Sequence, residues 1–305
     1  MSRVAAPTPG LLREEPVFFE AGGETLFGIH TRPAADDRGT ALILLASAER
    51  LGYHRDRVGL VLARRAAERG HHAFRLDYRG QGESTGKVGR FRLDEPFTED
   101  ALGAAALLRA DSVPRAFFAG SCFGARVGIA AALEDPATAG VILVSLPMTD
   151  YASGERGSRR TAQAPLPSLG KKALRRKTLR DLRDPDLRKL YGEAARFKLR
   201  NLTHRSKVAA DADRLSPHLF GALERLVDRR VPLLFLYGEH DGALAEFQAV
   251  REAELRGLLD RAGGTIEVSV VPGRLHGWVS IPTTEAAIDR MIDWIGRIDR
   301  RTPTG

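Results

Sequence analysis

The chain has 305 residues, one cysteine and a formal net charge of +8, from 47 Lys and Arg against 39 Asp and Glu. That length suits one large domain, or one domain with a sizeable insertion, and 43% hydrophobic with 28% charged residues excludes global disorder. The single cysteine excludes an internal disulfide framework and a multi-cysteine zinc site, and no apolar run approaches the length of a membrane span.

The first fifteen residues, MSRVAAPTPGLLREE, lack the continuous apolar core of a signal peptide, so a short flexible lead and a cytoplasmic setting are expected. Residues 16–30 read as two short strands around Gly22-Gly23, a hairpin signal. Residues 40–46 (TALILLA) form an apolar run fit for a buried strand, and 56–69 read as a helix. A strand at 72–77 ends in Tyr78-Arg79-Gly80-Gln81-Gly82. A helix follows at 96–109, then a strand at 115–120, a helix at 123–133 and a buried strand at 140–146. After a long polar stretch come a strand at 231–237, a helix at 243–262, a strand at 265–271 and a last helix at 283–297. Apolar strands alternating with helices predict a mostly parallel eight-stranded sheet with helices on both faces. In such sheets ligands bind beyond the carboxyl ends of the strands.

The polar stretch carries the charge. Between Tyr151 and Ser216 there are 18 Lys and Arg against 7 Asp and Glu, a local +11, which leaves about −3 for the rest. With Pro165, Pro167 and Pro185 and few β-branched runs, it reads as short helices inserted between two strands. The expected organisation is a first core part at 1–150, a basic helical insertion at 151–228 and a second core part at 229–305. The insertion is either a solvated helical face or a landing surface for an anionic partner. Its few aromatics (Tyr151, Tyr191, Phe197) and the lack of a nucleic-acid motif weigh against nucleic acid.

The cysteine sits in Gly120-Ser121-Cys122-Phe123-Gly124, between an apolar strand and an Ala-rich helix. This is the G-x-nucleophile-x-G pattern, with cysteine where serine is commoner. A sharp turn there lifts the central side chain clear of the sheet, and the flanking glycines let strand and helix approach. The helix N-terminus behind the turn favours negative charge, which lowers a thiol pKa. A buried structural cysteine is the bland alternative. Ser121 is the rival nucleophile, disfavoured because its side chain leaves the turn in another direction.

A thiol nucleophile needs a base and an orienting acid. Asp241 follows one strand, in Tyr237-Gly238-Glu239-His240-Asp241-Gly242. His276 follows the next, in Pro272-Gly273-Arg274-Leu275-His276-Gly277-Trp278. Each stands in a loop at a carboxyl end, where it can converge with Cys122. Glu239 is the alternative acid and His240 the alternative base. The eight histidines show no zinc-ligand spacing, and no cofactor motif is present. The run Asp77 to Ser84 (DYRGQGES) is not a dinucleotide fingerprint, because Thr85 stands three residues after Gly82. It is not a P-loop either, because Val88 follows Lys87.

On these motifs the chain resembles an α/β-hydrolase over residues 16–297. DYRGQGES resembles the D-x-R-G-x-G-x-S turn of the esterase, thioesterase and serine-aminopeptidase branches, and reads as structural, with Asp77 holding the loop. The resemblance implies the order nucleophile, acid, histidine, and places the basic insertion where the family has its lid, after the sixth strand. It also implies an oxyanion hole with one N–H from the residue after the nucleophile, Phe123. The other N–H comes from the loop after the third strand, from Ser47 or Ala48. Two departures stand out. The usual serine is Cys122, as in dienelactone hydrolases and some thioesterases of natural-product assembly lines. The His-Gly pair common after the third strand is replaced by Ala46-Ser47-Ala48-Glu49-Arg50.

Cysteine forms a thioester acyl-enzyme. Exchange from a thioester donor is close to thermoneutral, whereas attack on an oxygen ester runs uphill. The expected activity is therefore a thioesterase or acyltransferase, with the acyl group on coenzyme A or an acyl carrier protein docked on the basic lid. A carboxylester or lactone hydrolase is the alternative, and a non-catalytic binding member of the fold is the third reading. No metal, membrane or nucleic-acid partner is expected.

Overall fold

The computed structural model describes residues 12–34, 36–47, 57–87, 91–149, 215–252 and 254–301. Strands β1 (Arg13–Ala21) and β2 (Glu24–Arg32) form the expected hairpin, turning at Gly22 and Gly23, both with positive φ. β3 (Thr40–Leu45), α1 (Val58–Glu68), β4 (His72–Asp77), α2 (Thr98–Ala110), β5 (Arg115–Ser121), α3 (Phe123–Glu134) and β6 (Thr138–Val144) follow. After residue 214 come α4 (Pro217–Asp228), β7 (Leu233–Gly238), α5 (Gly242–Arg251), α6 (Arg256–Arg261), β8 (Ile266–Val271) and α7 (Ile281–Arg301).

Among the described residues the eight strands make one sheet, in the order β1-β2-β4-β3-β5-β6-β7-β8. β1, β2 and β4 pair antiparallel, and every pair from β4 to β8 is parallel. The central parallel strands β3, β5, β6 and β7 are buried almost throughout, as their apolar runs require when helices cover both faces. α1 and α7 pack together on one face, and α2, α3 and α4 on the other. The α1–α7 layer is anchored by Trp294, 1% exposed, whose ring meets Phe117 of β5 edge-on at 6.0 Å.

Two expectations change. Residues 243–262 form two helices, not one. Val250 and Leu255 are both buried, yet five residues of continuous helix would set them about 140° apart; the break lets both face inward. The expected insertion lies outside the described residues as far as 214, and its last part, from Leu215, groups with the body. There α4 is capped by Ser216, whose Oγ accepts the Leu219 N–H at 3.1 Å, and buries Leu219, Leu223 and Leu226. Among the described residues no helix is long and apolar enough to cross a membrane.

Candidate active site

β5 ends at Ser121 and α3 begins at Phe123, so one residue, Cys122, makes the whole turn. Its backbone lies at φ 54°, ψ −109°, a region that costs a non-glycine residue about 1–3 kcal/mol. The neighbours hold it there. Its N–H donates to the Val144 carbonyl at 2.9 Å. A Cβ on Gly120 would overlap the Gly124 backbone, and one on Gly124 would overlap the Leu45 and Ala46 carbonyls. Both glycines are thus required by close approach. The thiol-bearing residue is half-buried, whereas Ser121 is 7% exposed.

Phe123 follows with its ring fully buried, 5.0 Å from Phe91, 5.3 Å from Phe97 and 6.0 Å from Tyr78. As the first residue of α3 it contributes one of the N–H groups that a helix leaves without an intrahelical acceptor. Tyr78 links this cluster to the end of β3: its hydroxyl donates to the Ala46 carbonyl at 3.2 Å. Burial pushes that phenol well above its ordinary pKa, so it remains a neutral donor. Ser47, the next residue, is half-buried; Ala48 lies outside the described residues.

Asp241 is 4% exposed and immediately precedes α5, without a capping hydrogen bond from its side chain. Oδ2 accepts from Ser145 Oγ at 2.6 Å and from the Gly238 N–H at 2.9 Å; Oδ1 accepts from the His276 N–H at 2.7 Å. Three donors therefore fix both oxygens of a buried carboxylate. The acid and histidine loops are also joined through their backbones, by Glu239 N–H to Val271 O and His240 N–H to Gly273 O, each 2.9 Å. The Asp241 carboxylate bonds the backbone of His276, while Glu239 and His240 are exposed. His276 itself is half-buried, in a turn closed by Trp278 N–H to Leu275 O at 2.9 Å. Trp278 is 5% exposed and takes a positive φ of 51°, rare for a bulky residue.

Cys122, Ser145, Asp241 and His276 follow β5, β6, β7 and β8, four neighbours in the sheet. They stand at one carboxyl edge, where open parallel sheets bind ligands. Ser145 was not singled out in the sequence. Its signal is a polar residue ending an apolar strand; it is fully buried and has φ 46°. Arg126, four residues after Cys122 on α3, was also missed. It is 5% exposed and donates to the Pro147 carbonyl at 3.0 Å, while Ser216 N–H donates to Met148 O at 2.9 Å. The chain on both sides of residues 150–214 is thereby tied together next to the elbow's helix.

The DYRGQGES turn, expected to be structural, is held by hydrogen bonds. Ser84 Oγ donates to the Asp77 carbonyl at 2.7 Å and accepts the Phe27 N–H at 2.9 Å, and Arg79 makes two side-chain bonds to buried Asp100. Among the described residues no group of three or more His, Cys, Asp or Glu is placed to hold a metal ion.

Comparison with known proteins identifies the family and the fold. The family model described as serine aminopeptidase, S33, matches residues 41–279. An esterase of Pyrococcus furiosus is similar in structure, with a TM-score of 0.60 at 16% identity, covering 97% of each chain. A dienelactone hydrolase of Anabaena variabilis has a TM-score of 0.57 at 13% identity, covering 94% of this chain and 98% of its own. A proline iminopeptidase of Mycobacterium smegmatis has 0.55 at 16% identity, covering 94% and 99%. These likenesses show the α/β-hydrolase fold. No curated protein matches the chain closely enough to count as a relative.

Proposed function

The chain belongs to the serine aminopeptidase S33 family and is a hydrolase-family enzyme of the α/β-hydrolase superfamily, and on that footing we propose that it works through a covalent acyl-cysteine on Cys122, with a thioester as acyl donor. One observation carries the reading. The only cysteine occupies the strained elbow position, half-exposed at the start of α3, where a family named for serine has its nucleophile.

In this mechanism His276 takes the thiol proton of Cys122, and Asp241 orients the imidazole. The helix N-terminus favours the thiolate. The thiolate attacks the acyl carbonyl carbon, and the Phe123 N–H, with a second N–H from Ser47 or Ala48, holds the oxyanion. Collapse forms the Cys122 thioester and breaks the bond to the donor sulfur, which leaves with the proton from His276. Water or another acceptor, deprotonated by His276, then attacks the acyl-enzyme and releases Cys122.

A thioester donor is supported by the near-thermoneutral exchange of one thioester for another. It is supported also by the local +11 between Tyr151 and Ser216, which suits the phosphates of coenzyme A or an acidic acyl carrier protein. That segment is the proposed lid. Its flanks, Pro147 and Ser216, are the residues bonded beside α3. A carrier-bound donor would place the enzyme among the thioesterases of natural-product assembly. The structural likeness to a dienelactone hydrolase favours a second reading, a lactone or carboxylester hydrolase.

Turnover of a matched acyl thioester and oxygen ester separates the readings. The proposal expects a kcat/KM for the thioester at least about tenfold higher, and loss of that activity in Cys122→Ala. Equal or faster turnover of the oxygen ester supports the hydrolase reading. No turnover or adduct with either supports a non-catalytic binding protein.

A further inference from the structure

A cavity of about 60 Å³ lies between the sheet and the layer formed by α1 and α7. Its walls are mostly apolar and include Leu44 of β3, Leu62 of α1 and Met291 of α7. Ala46, Ser121 and Trp278 also line it. These belong to the three segments that carry the proposed chemistry: the loop after β3, the residue before Cys122 and the turn that holds His276. Arg75, which sits opposite Leu44 in the β3–β4 register, is a further lining residue. Arg75 Nη2 is bonded to Glu14 at 3.1 Å, and the same carboxylate binds Arg64 of α1. The lining therefore joins residues beside the elbow, Gly120 and Ser121, to an ion-paired arginine.

Building on the acyl-cysteine reading, we infer that this cavity receives the acyl chain of the substrate and limits it to about four to six carbons. The size follows from the volume. A water-sized group occupies roughly 10–15 Å³ on this measure, so 60 Å³ holds about four to six such groups, and a methylene is of similar size. The chemical class follows from the walls. Apolar surface with few polar groups disfavours ordered water and any charged or hydroxylated tail, and suits plain hydrocarbon. Ser121 acquires a role here. It is a short side chain in the cavity wall, one residue before the nucleophile, and leaves room that a larger residue would fill.

The test uses straight-chain N-acetylcysteamine thioesters from acetyl to dodecanoyl, with acylation of Cys122 followed by intact mass and kcat/KM measured for each. The expected profile rises about fourfold per methylene, peaks between butyryl and hexanoyl, and falls for longer chains. In Met291→Ala, which removes three side-chain heavy atoms, the peak moves about three carbons longer; in Leu62→Phe it moves shorter. A flat profile, a rise continuing through dodecanoyl, or one unchanged profile in all three proteins would overturn the inference while leaving the acyl-cysteine reading intact. No acylation at any chain length would overturn the reading beneath it, and the inference with it. The wild-type profile decides the matter even if a variant fails to fold.

Discussion

Ser145→Ala is the perturbation that the site's geometry prices most directly. The Ser145 hydroxyl donates to Asp241 Oδ2 at 2.6 Å, with the two residues 0% and 4% exposed. Alanine keeps the Cβ, so the φ of 46° is no worse accommodated; only the donor is lost. A hydrogen bond to a buried charged group contributes about 1.5–3 kcal/mol. The Gly238 N–H stays on Oδ2 and the His276 N–H on Oδ1, so the carboxylate keeps two of three donors and its freedom to turn increases. If nearly all of that energy serves to orient Asp241 in the transition state, kcat falls about ten- to a hundredfold with KM for the acyl donor unchanged. The same loss lowers Tm by about 3–10 °C for a body of this size. Steady-state kinetics with one thioester and a thermal melt read both numbers. A fall in Tm with kcat within twofold of wild type would refute the orienting role and leave Ser145 as a fold residue. Ser145→Gly removes the same hydroxyl but relieves the positive φ; it should recover part of the Tm and none of the kcat.

Gly124→Ala should abolish folding or soluble expression, because the new Cβ overlaps two backbone carbonyls that cannot move without shifting β3; a well-folded, active variant would contradict this packing. Stability should also fall in mild acid. His30 and His71 are 3% and 1% exposed, and burial, the largest cause in both, pulls each pKa from 6.5 to about 4. Their folded pKa lies below the unfolded one, so the unfolded state takes up protons first. Stability is complete above about pH 6.5 and is lost as pH falls towards 4, by up to about 3 kcal/mol per histidine. Urea titrations at pH 7.5 and 5 check this, and equal midpoints would contradict it. If the basic segment attracts the donor's phosphates, raising salt from 50 to 500 mM should increase KM several-fold for a coenzyme A thioester and leave it unchanged for the uncharged N-acetylcysteamine analogue. Equal salt responses would remove the electrostatic role.

The sequence was most informative where chemistry and chain order coincide. Cys122 directly follows an apolar strand, Asp241 and His276 each stand in the loop after one, and strand ends can be read from hydrophobic runs alone. The alternation of strands and helices was likewise legible, because buried parallel strands have no polar face to interrupt them. What escaped were partners joined by the fold and not by the chain. Ser145 meets Asp241 across 96 residues, and Tyr78 meets the Ala46 carbonyl across 32. Neither pairing leaves a local pattern. Trp278 reads as an ordinary aromatic two residues after a histidine; its positive φ and its place in the cavity wall appear only once α7 and the sheet enclose it. The split of residues 243–262 was missed because helical propensity continues through the break, while the buried positions of Val250 and Leu255 do not keep helical spacing.

The central claim is that Cys122 carries the acyl group. The most direct measurement is to mix the protein with a butyryl thioester, quench with acid within the first turnover, and locate the added mass by peptide mapping. The account predicts one butyryl group on the peptide bearing Cys122, absent from Cys122→Ala. Butyryl on Ser121, or full turnover by Cys122→Ala, would contradict it.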